Sequence, residues 1–248
     1  MKVIIIAAGS ATRLGKFTEG KPKGLLEING KSIIQRQIEL FKKYNIDEII
    51  IITGPHKEFG ICDVTYVEDT NYQNHDVLGS LMAAKEFLQG DVLTCYSDIL
   101  FDDIILKQIL NFNGDIGIPI DLDWEKNYAN RIQHPKSEAD NVLVNNKKII
   151  EIKKNISLSN NDEKIGEFLG PVIFSEIGSK IFVKKYSELK KTHNGNFHNA
   201  VSLSKAYLTD MIQELINDNI KIEPILIKGK WIEIDTTEDL TKAQKLFF

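Results

Sequence analysis

Basic residues follow a glycine-containing break in the first apolar run of the chain. The run Val3–Ile6 is continuous and mostly β-branched, which predicts a strand buried on both faces of a parallel sheet. Small residues fill positions 7–11, so backbone N–H groups there can approach a ligand and form an anion-binding concavity. Arg13, Lys21 and Lys23 add cationic groups that suit phosphate oxygens. The sequence therefore predicts a phosphate site directly after a core strand.

The elements that must position this site alternate between strands and helices. Ser32 is the predicted N-cap of a helix that reaches about Tyr44, and a second buried-strand run lies within positions 47–54. A later apolar run ends at Asp98, which places this carboxylate at the same sheet edge as the phosphate site. The alternation predicts an α/β fold with a doubly wound, mostly parallel, Rossmann-like sheet that binds ligands at the carboxyl ends of its strands.

Two motifs at opposite ends of the chain carry a resemblance. The first reads A-A-G-x-x-x-R-L and then K-P-K-x-L over positions 7–25, and the second reads W-I-E-I-D-T-T-E-D-L over positions 231–240. Together they resemble the nucleotidyltransferases that join a nucleoside triphosphate to a phosphorylated metabolite and release pyrophosphate. The resemblance covers nearly the whole chain and is weakest from about Asp121 to Lys205. It implies the nucleotidyltransferase, or GT-A-like, version of the Rossmann-like fold.

The resemblance also implies roles for particular residues. Lys23 and Arg13 are expected to be catalytic, on the α-phosphate and on the leaving pyrophosphate, and Asp98 and Asp235 are expected to bind Mg²⁺. An acceptor phosphate is already ionised, so no general base is needed for in-line attack on the α-phosphorus. The residues expected to bind the nucleotide are Ala7, Ala8, Gly9, Ser10, Ala11, Thr12, Asn71, Gly79 and Ser80. His75, in the loop that holds the nucleobase, is expected to be an exposed loop histidine.

Length and composition restrict the class of protein. The 248 residues suit one nucleotidyltransferase domain, 1–248, with an acceptor-side insertion at about 121–205. A net charge of −4 gives no basic surface for nucleic acid. The absence of a long apolar run, a signal peptide and metal-spaced cysteines predicts a cytoplasmic protein with no membrane partner, in which Cys95 is a core residue. The sequence leaves open whether the protein forms a homodimer.

The insertion is predicted to be antiparallel. Alternating runs flank Asn145-Asn146, which is typical of a hairpin turn, and Glu167–Phe174 is a predicted returning strand. The polar stretch Ser157–Lys164 is expected to be a surface loop. The sequence does not determine whether this loop closes over the site. The residues expected to bind the acceptor are Asp121, Trp124, Tyr128, Arg131, Lys153, Glu167, Trp231 and Glu233.

The sequence restricts the identity of the acceptor less than it restricts the type of reaction. The chain is most similar to cytidylyltransferases of small acceptors, which favours CTP as the nucleotide. Trp124, Tyr128 and Trp231 could form a cage for a quaternary ammonium such as phosphocholine. Arg131 and Lys153, beside carboxylates, would instead suit an acceptor with both an amine and a carboxylate. The resemblance favours phosphoglutamine, with a role in capsule biosynthesis, and places phosphocholine or a phosphonate next.

Two other classes of protein share part of these signatures. A sugar-1-phosphate nucleotidylyltransferase would differ only in the middle segment. A regulator that binds nucleotides without catalysis would keep the glycine loop, but the joint presence of Lys23, Asp98 and Asp235 argues against it. Measuring turnover with a panel of acceptors separates the three.

Overall fold

A mixed ten-stranded sheet dominates the computed structural model, which describes residues 1–9, 14, 21–129 and 131–248. The strands of this sheet are β1 (Lys2–Ala7), β4 (Ile49–Thr53), β5 (Thr65–Glu68), β6 (Val92–Tyr96), β8 (Ile116–Asp121), β9 (Asp140–Asn145), β10 (Lys148–Lys154), β11 (Glu163–Phe168), β12 (Val172–Phe174) and β13 (Glu223–Leu226). Two short ribbons pair β2 (Glu27–Ile28) with β3 (Lys31–Ser32) and β7 (Ile99–Phe101) with β14 (Trp231–Glu233). The helices are α1 (Ile33–Lys43), α2 (Val77–Ala83), α3 (Asp103–Leu110), α4 (Glu176–Thr192), α5 (Leu208–Asn217) and α6 (Thr237–Leu246).

The sheet confirms the predicted doubly wound fold. Its order is β10-β9-β11-β8-β12-β6-β1-β4-β5, and β13 pairs with β8. The pairs β6-β1, β1-β4 and β4-β5 are parallel, so that half of the sheet brings its strand ends to one edge. The antiparallel pairs β12-β6, β12-β8, β11-β8, β11-β9 and β10-β9 build the other half. The predicted antiparallel hairpin therefore extends the same sheet.

The first strand is apolar throughout because both of its faces are covered. Val3 and Ile5 belong to one hydrophobic cluster, while Ile4 and Ile6 belong to another on the opposite face. Val3, Ile4 and Ile5 have no exposed surface. Cys95, on the neighbouring strand, is also completely buried, as predicted, and burial raises the pKa of its thiol. The continuous β-branched run thus forms the centre of the molecule.

The predicted strand Glu167–Phe174 is interrupted. Its two parts, β11 and β12, pair with successive parts of β8, and a turn at 169–171 separates them. Gly170 has φ +105°, and a side chain there would meet the ring of Tyr96 at 2.7 Å. This backbone conformation favours glycine and ends the regular pairing. The hairpin turn between β9 and β10 likewise differs from the prediction by one residue, because Asn146 and Lys147 occupy it with φ of 47° and 65°.

Helix α1 begins where the sequence predicts. The Ser32 hydroxyl accepts from the backbone N–H of Gln35, and the Gln35 side chain accepts from the backbone N–H of Ser32. Thr236 and Asp239 form the equivalent capping box at the start of α6. Helix α2 begins at Val77, and a 3₁₀ turn, 85–87, follows it. No helix in the described residues is long and apolar enough to cross a membrane.

The β7–β14 ribbon joins the two ends of the chain. Ile99 pairs with Glu233, and the backbone N–H of Ile234 donates to the carbonyl of Asp98 at 2.9 Å. These pairings place Asp98 and Asp235 beside each other although 137 positions separate them in the sequence. The ribbon is therefore the element that assembles the candidate site.

Candidate active site

Lys23 enters the site from a tightly packed 3₁₀ turn, Lys23–Leu25. A Cβ on Gly24 would lie 2.5 Å from a side-chain atom of Ile34 and 3.2 Å from Ser97, so glycine lets this turn press against α1 and the end of β6. Pro22, in extended conformation, precedes the turn. This packing directs the lysine toward the edge where β6 ends.

Two aspartates converge on the Lys23 ammonium group. Its Nζ donates to Oδ2 of Asp98 at 2.9 Å and also donates to Oδ1 of Asp235. The side chains of Lys23 and Asp235 are 14% and 3% exposed. Burial alone would lower the pKa of Lys23, but the two carboxylates outweigh it and raise that pKa. Lys23 is therefore a fixed cation at the sheet edge.

The same carboxylates have the chemistry of a divalent-cation site. Oδ1 of Asp98 is buried and has no hydrogen-bond partner among the described residues, which leaves an oxygen available to a cation. Nδ1 of His134 lies 3.2 Å from Oδ2 of Asp235, and ligand atoms of His134, Glu233 and Asp235 all lie within 4.8 Å of one another. Carboxylate oxygens suit Mg²⁺, so the donor set fits that ion. Neither His134 nor this place for Glu233 is predicted from the sequence.

Charge crowding affects Glu233 strongly. Burial, and then the charges of Asp235 and Asp98, raise its pKa well above the ordinary range. This carboxyl is expected from the sequence to contact an acceptor, and the structure places it beside Asp235 of the candidate site. The site is thus rich in carboxylates, and among the described residues Lys23 contacts two of them, Asp98 and Asp235.

The expected phosphate loop is described only at its start. Ala7 ends β1, and Ala8 and Gly9 follow it at the carboxyl edge of the sheet. The Ala8 carbonyl lies so near Gly54 that a Cβ on the glycine would approach its oxygen to 2.5 Å. Ser10, Ala11 and Thr12, also expected to bind the nucleotide, lie outside the described residues. Arg13, expected to act on the leaving pyrophosphate, lies outside them as well.

A buried aspartate organises the loop that was expected to hold the nucleobase. Asp69 is 1% exposed, and its Oδ2 accepts from the Ser80 hydroxyl at 2.8 Å and lies 2.7 Å from Nε2 of His75. Its Oδ1 accepts from the backbone N–H of Asn71 at 3.1 Å. The contacts therefore join the two parts of the loop, Asn71 and Gly79–Ser80, that the resemblance singled out.

The prediction that His75 is an exposed loop histidine is wrong. Its side chain is 12% exposed, and its ring covers Gly79 so closely that a Cβ there would lie 2.3 Å from the ring. Asp69 is likewise not among the residues predicted from the sequence. The position of Asp69 immediately after β5 was the available signal, because this strand ends at the same edge as β1 and β4.

The aromatic residues expected to bind an acceptor are engaged with each other and with the sheet. The ring centroids of Trp124 and Tyr128 are 5.7 Å apart in an edge-to-face arrangement, and the Trp124 indole donates to the carbonyl of Ile165 at 3.3 Å. The Tyr128 hydroxyl donates to Oε1 of Glu167. Arg131 lies over the Tyr128 ring with its Cζ 5.0 Å from the centroid. Trp124 and Tyr128 are therefore core residues of the acceptor side.

The remaining expected acceptor residues divide into two groups. Trp231 donates its indole N–H to Oδ2 of Asp121 at 2.8 Å, which links β14 to the end of β8. Arg131 donates from Nε to Oδ1 of Asp239 at 2.6 Å, so this guanidinium joins the middle segment to α6. Lys153 is paired with Glu151 at 2.6 Å and is 42% exposed. Arg131 also reaches the candidate site, because its guanidinium lies 3.1 Å from Nδ1 of His134, whereas Lys153 lies on β10 outside these contacts.

Comparison with known proteins gives the class of this chain. Residues 3–119 match the family model for the MobA-like NTP transferase domain. A solved CTP:phosphocholine cytidylyltransferase from Streptococcus pneumoniae shares the fold with a TM-score of 0.72 and 22% sequence identity, over 100% of this chain and 99% of that one. These comparisons support a nucleotidyltransferase activity for this chain, and the family match itself covers residues 3–119, just under half of its 248 residues.

Two curated relatives are similar to this chain. A CTP:phosphoglutamine cytidylyltransferase from Campylobacter jejuni subsp. jejuni is 27% identical over an alignment of 255 positions, which covers 97% of this chain and 98% of the relative. A choline-phosphate cytidylyltransferase from Streptococcus pneumoniae is 38% identical over 114 residues, which cover 44% of this chain and 50% of the relative. The first similarity therefore extends through the acceptor side, whereas the second covers less than half of this chain.

Proposed function

We propose that this protein is a Mg²⁺-dependent cytidylyltransferase that joins the CMP unit of CTP to a small phosphorylated acceptor, with phosphoglutamine favoured and phosphocholine or a phosphonate next. The observation that carries the proposal is the convergence of Lys23, Asp98 and Asp235 at the carboxyl edge of the parallel strands. Similarity to a phosphoglutamine enzyme over nearly the whole length of both chains supports the choice of CTP and of acceptor.

The reaction needs positioning and charge more than proton transfer. An acceptor phosphate oxygen attacks the α-phosphorus of CTP while the bond from that phosphorus to the bridging oxygen breaks, and pyrophosphate leaves with the electron pair. Lys23 supplies positive charge beside the α-phosphate, where negative charge crowds in the transition state. Its raised pKa keeps it protonated, so it acts as a fixed cation throughout.

Asp98 and Asp235 would hold Mg²⁺, which supplies charge neutralisation to the triphosphate when bound. The buried, unpartnered oxygen of Asp98 supports this assignment. Ala8 and Gly9 would present backbone N–H groups to phosphate, and Arg13 would bind the departing pyrophosphate. The Asp69 contacts would keep Asn71 and Ser80 in place around the cytosine.

The acceptor side belongs to the same proposal. The segment 121–205 would form most of the acceptor pocket of a single cytoplasmic domain, with Trp231 and Glu233 added from β14. Phosphocholine remains a candidate because the aromatic residues at 124 and 128 would stand beside this pocket. It ranks second because these two rings pack against each other. A role in capsule biosynthesis follows from the favoured acceptor alone.

The test is pyrophosphate release with each of the four nucleoside triphosphates and Mg²⁺. The acceptors are phosphoglutamine, phosphocholine, 2-aminoethylphosphonate and glucose-1-phosphate. We expect turnover with CTP and a small acceptor, and loss of turnover when Mg²⁺ is removed by a chelator. Turnover only with glucose-1-phosphate would replace the proposal by a sugar-nucleotide enzyme. CTP binding without turnover on any acceptor would indicate a regulator.

A further inference from the structure

Glu167 is a buried carboxylate, and one of its two oxygens accepts no hydrogen bond from the described residues. It is 4% exposed, and the Tyr128 hydroxyl donates to Oε1, but Oε2 has no partner among the described residues. Arg131, a cation whose charge acts on Glu167, is bound to Asp239 at 2.6 Å. A buried acceptor that lacks a donor is destabilising, so Oε2 is a place where a ligand with an N–H group would gain binding energy.

A matching unpaired donor lies on the next strand. Glu167 on β11 is directly opposite Asn141 on β9, and directly paired residues project from the same face of a sheet. Asn141 is also 4% exposed, and its Nδ2 has no partner among the described residues. Asp121 stands opposite Glu167 on the other side, at the end of β8. One row across three strands therefore holds an unused acceptor beside an unused donor.

The row lies close to the reaction centre. Tyr128, which covers Glu167, has its ring centroid 6.0 Å from that of His134, and His134 contacts Asp235 at 3.2 Å. On the other side, Trp231 binds Asp121 from the strand that leads to Asp235. A short acceptor whose phosphate reacts beside Asp235 would direct its far end toward this row.

The pair has the chemistry of a receptor for an amino acid group. A carboxylate oxygen accepts from a primary ammonium, and an amide N–H donates to a carboxylate. A quaternary ammonium has no N–H and cannot use Oε2 of Glu167 in this way. We propose that Glu167 binds the primary ammonium of the acceptor and Asn141 its carboxylate, so that the site selects amino acid phosphates over choline phosphate. This inference rests on the proposed cytidylyl transfer and assigns its specificity.

The electrostatics of Glu167 agree with this assignment. Burial raises its pKa to about 8, against the hydrogen bond from Tyr128 and the charge of Arg131. A bound ammonium would oppose this shift and favour the charged form of the carboxyl.

The experiment compares phosphoethanolamine with phosphocholine, which differ only in N-methylation. We expect kcat/KM of the wild type to favour phosphoethanolamine by about tenfold or more, and Glu167→Gln to abolish most of this preference. The KM for CTP should stay within about twofold. Glu163→Gln, a carboxylate on the same strand outside the row, is the matched control and should keep the wild-type preference.

A second variant separates the two ends of the receptor. Asn141→Leu removes the donor with little change in volume, and we expect it to weaken phosphoglutamine about tenfold while phosphoethanolamine, which has no carboxylate, stays within about twofold. Equal losses on all acceptors in both variants would overturn the inference and indicate a buried water between Glu167 and Asn141. If the wild type fails to turn over any acceptor, the proposed function fails. Calorimetric binding of phosphoethanolamine and phosphocholine then still tests the preference.

Discussion

Replacing Lys23 by methionine removes the positive charge of the candidate site and keeps most of the side-chain volume. The Nζ that would be lost contacts both Asp98 and Asp235. A preorganised donor to developing charge contributes about 3 kcal/mol to catalysis, so we expect kcat to fall on the order of 100-fold. The assay is pyrophosphate release with CTP and the acceptor that the wild type prefers.

The same substitution has a calculable effect on stability. Without the ammonium, Asp98 and Asp235 face each other, and the Asp235 side chain is only 3% exposed. Removing one partner of a buried ionic group costs about 3 kcal/mol, which lowers Tm by roughly 6–12 °C for a chain of this size. Millimolar Mg²⁺ should restore part of this loss, because a divalent cation can take the place of the ammonium between the carboxylates. Melting curves with and without Mg²⁺ measure both effects.

Lys191→Met is the matched control, since Lys191 is exposed in the last turn of α4 and has no role in the candidate site. It should keep Tm within about 1 °C and kcat within about threefold of the wild type, as expected for a surface substitution. A loss of activity below about threefold in Lys23→Met would refute the catalytic role of Lys23. A variant whose Tm does not respond to Mg²⁺ would refute the placing of a cation between the two aspartates.

Three further predictions concern the parts that support the site. Asp69→Asn removes one of the carboxylate oxygens that accept hydrogen bonds in the loop, so KM for CTP should rise about tenfold in steady-state assays, while KM for the acceptor substrate stays constant. Equal changes in both KM values would contradict a role in the nucleobase loop. Because the pKa of Glu167 is raised, the folded state binds more protons than the unfolded state between pH 4.5 and about 8. The free energy of unfolding should therefore fall as the pH rises across that window, by at most about 5 kcal/mol. Urea unfolding of Glu167→Gln should lack most of this decline, and an unchanged slope would contradict the assignment. Gly54→Ala would force a Cβ against the Ala8 carbonyl, and calorimetry should show weaker CTP binding together with a lower Tm; wild-type values would show that this edge is not tightly packed.

Local chemistry predicts the start of several elements well. Ser32 is recognisable as an N-cap because its hydroxyl and the glutamine three residues later can satisfy the first helical N–H groups without help from distant residues. Burial of the β1 run follows from its unbroken apolar pattern. In both cases the information lies within a few neighbouring positions, so a single sequence suffices.

Contacts between distant segments cannot be predicted from local sequence patterns in the same way. The β7–β14 ribbon has three residues in each strand, too few to show a period, and only the resemblance brought Asp98 and Asp235 to one place. Asp69 and His75 looked like ordinary loop residues because their burial depends on Ser80 and Gly79. The unused atoms of Asn141 and Glu167 become visible only when the strand register is known.

The most direct measurement is ³¹P NMR of the wild-type protein with CTP, Mg²⁺ and phosphoglutamine. The proposed reaction predicts pyrophosphate together with a new pair of coupled phosphorus signals from the CMP unit joined to the acceptor phosphate. The pair should be absent with Asp235→Asn, which removes a carboxylate from the centre that holds Lys23. Release of CMP without a coupled product, or no reaction with any acceptor of the panel, would contradict the account.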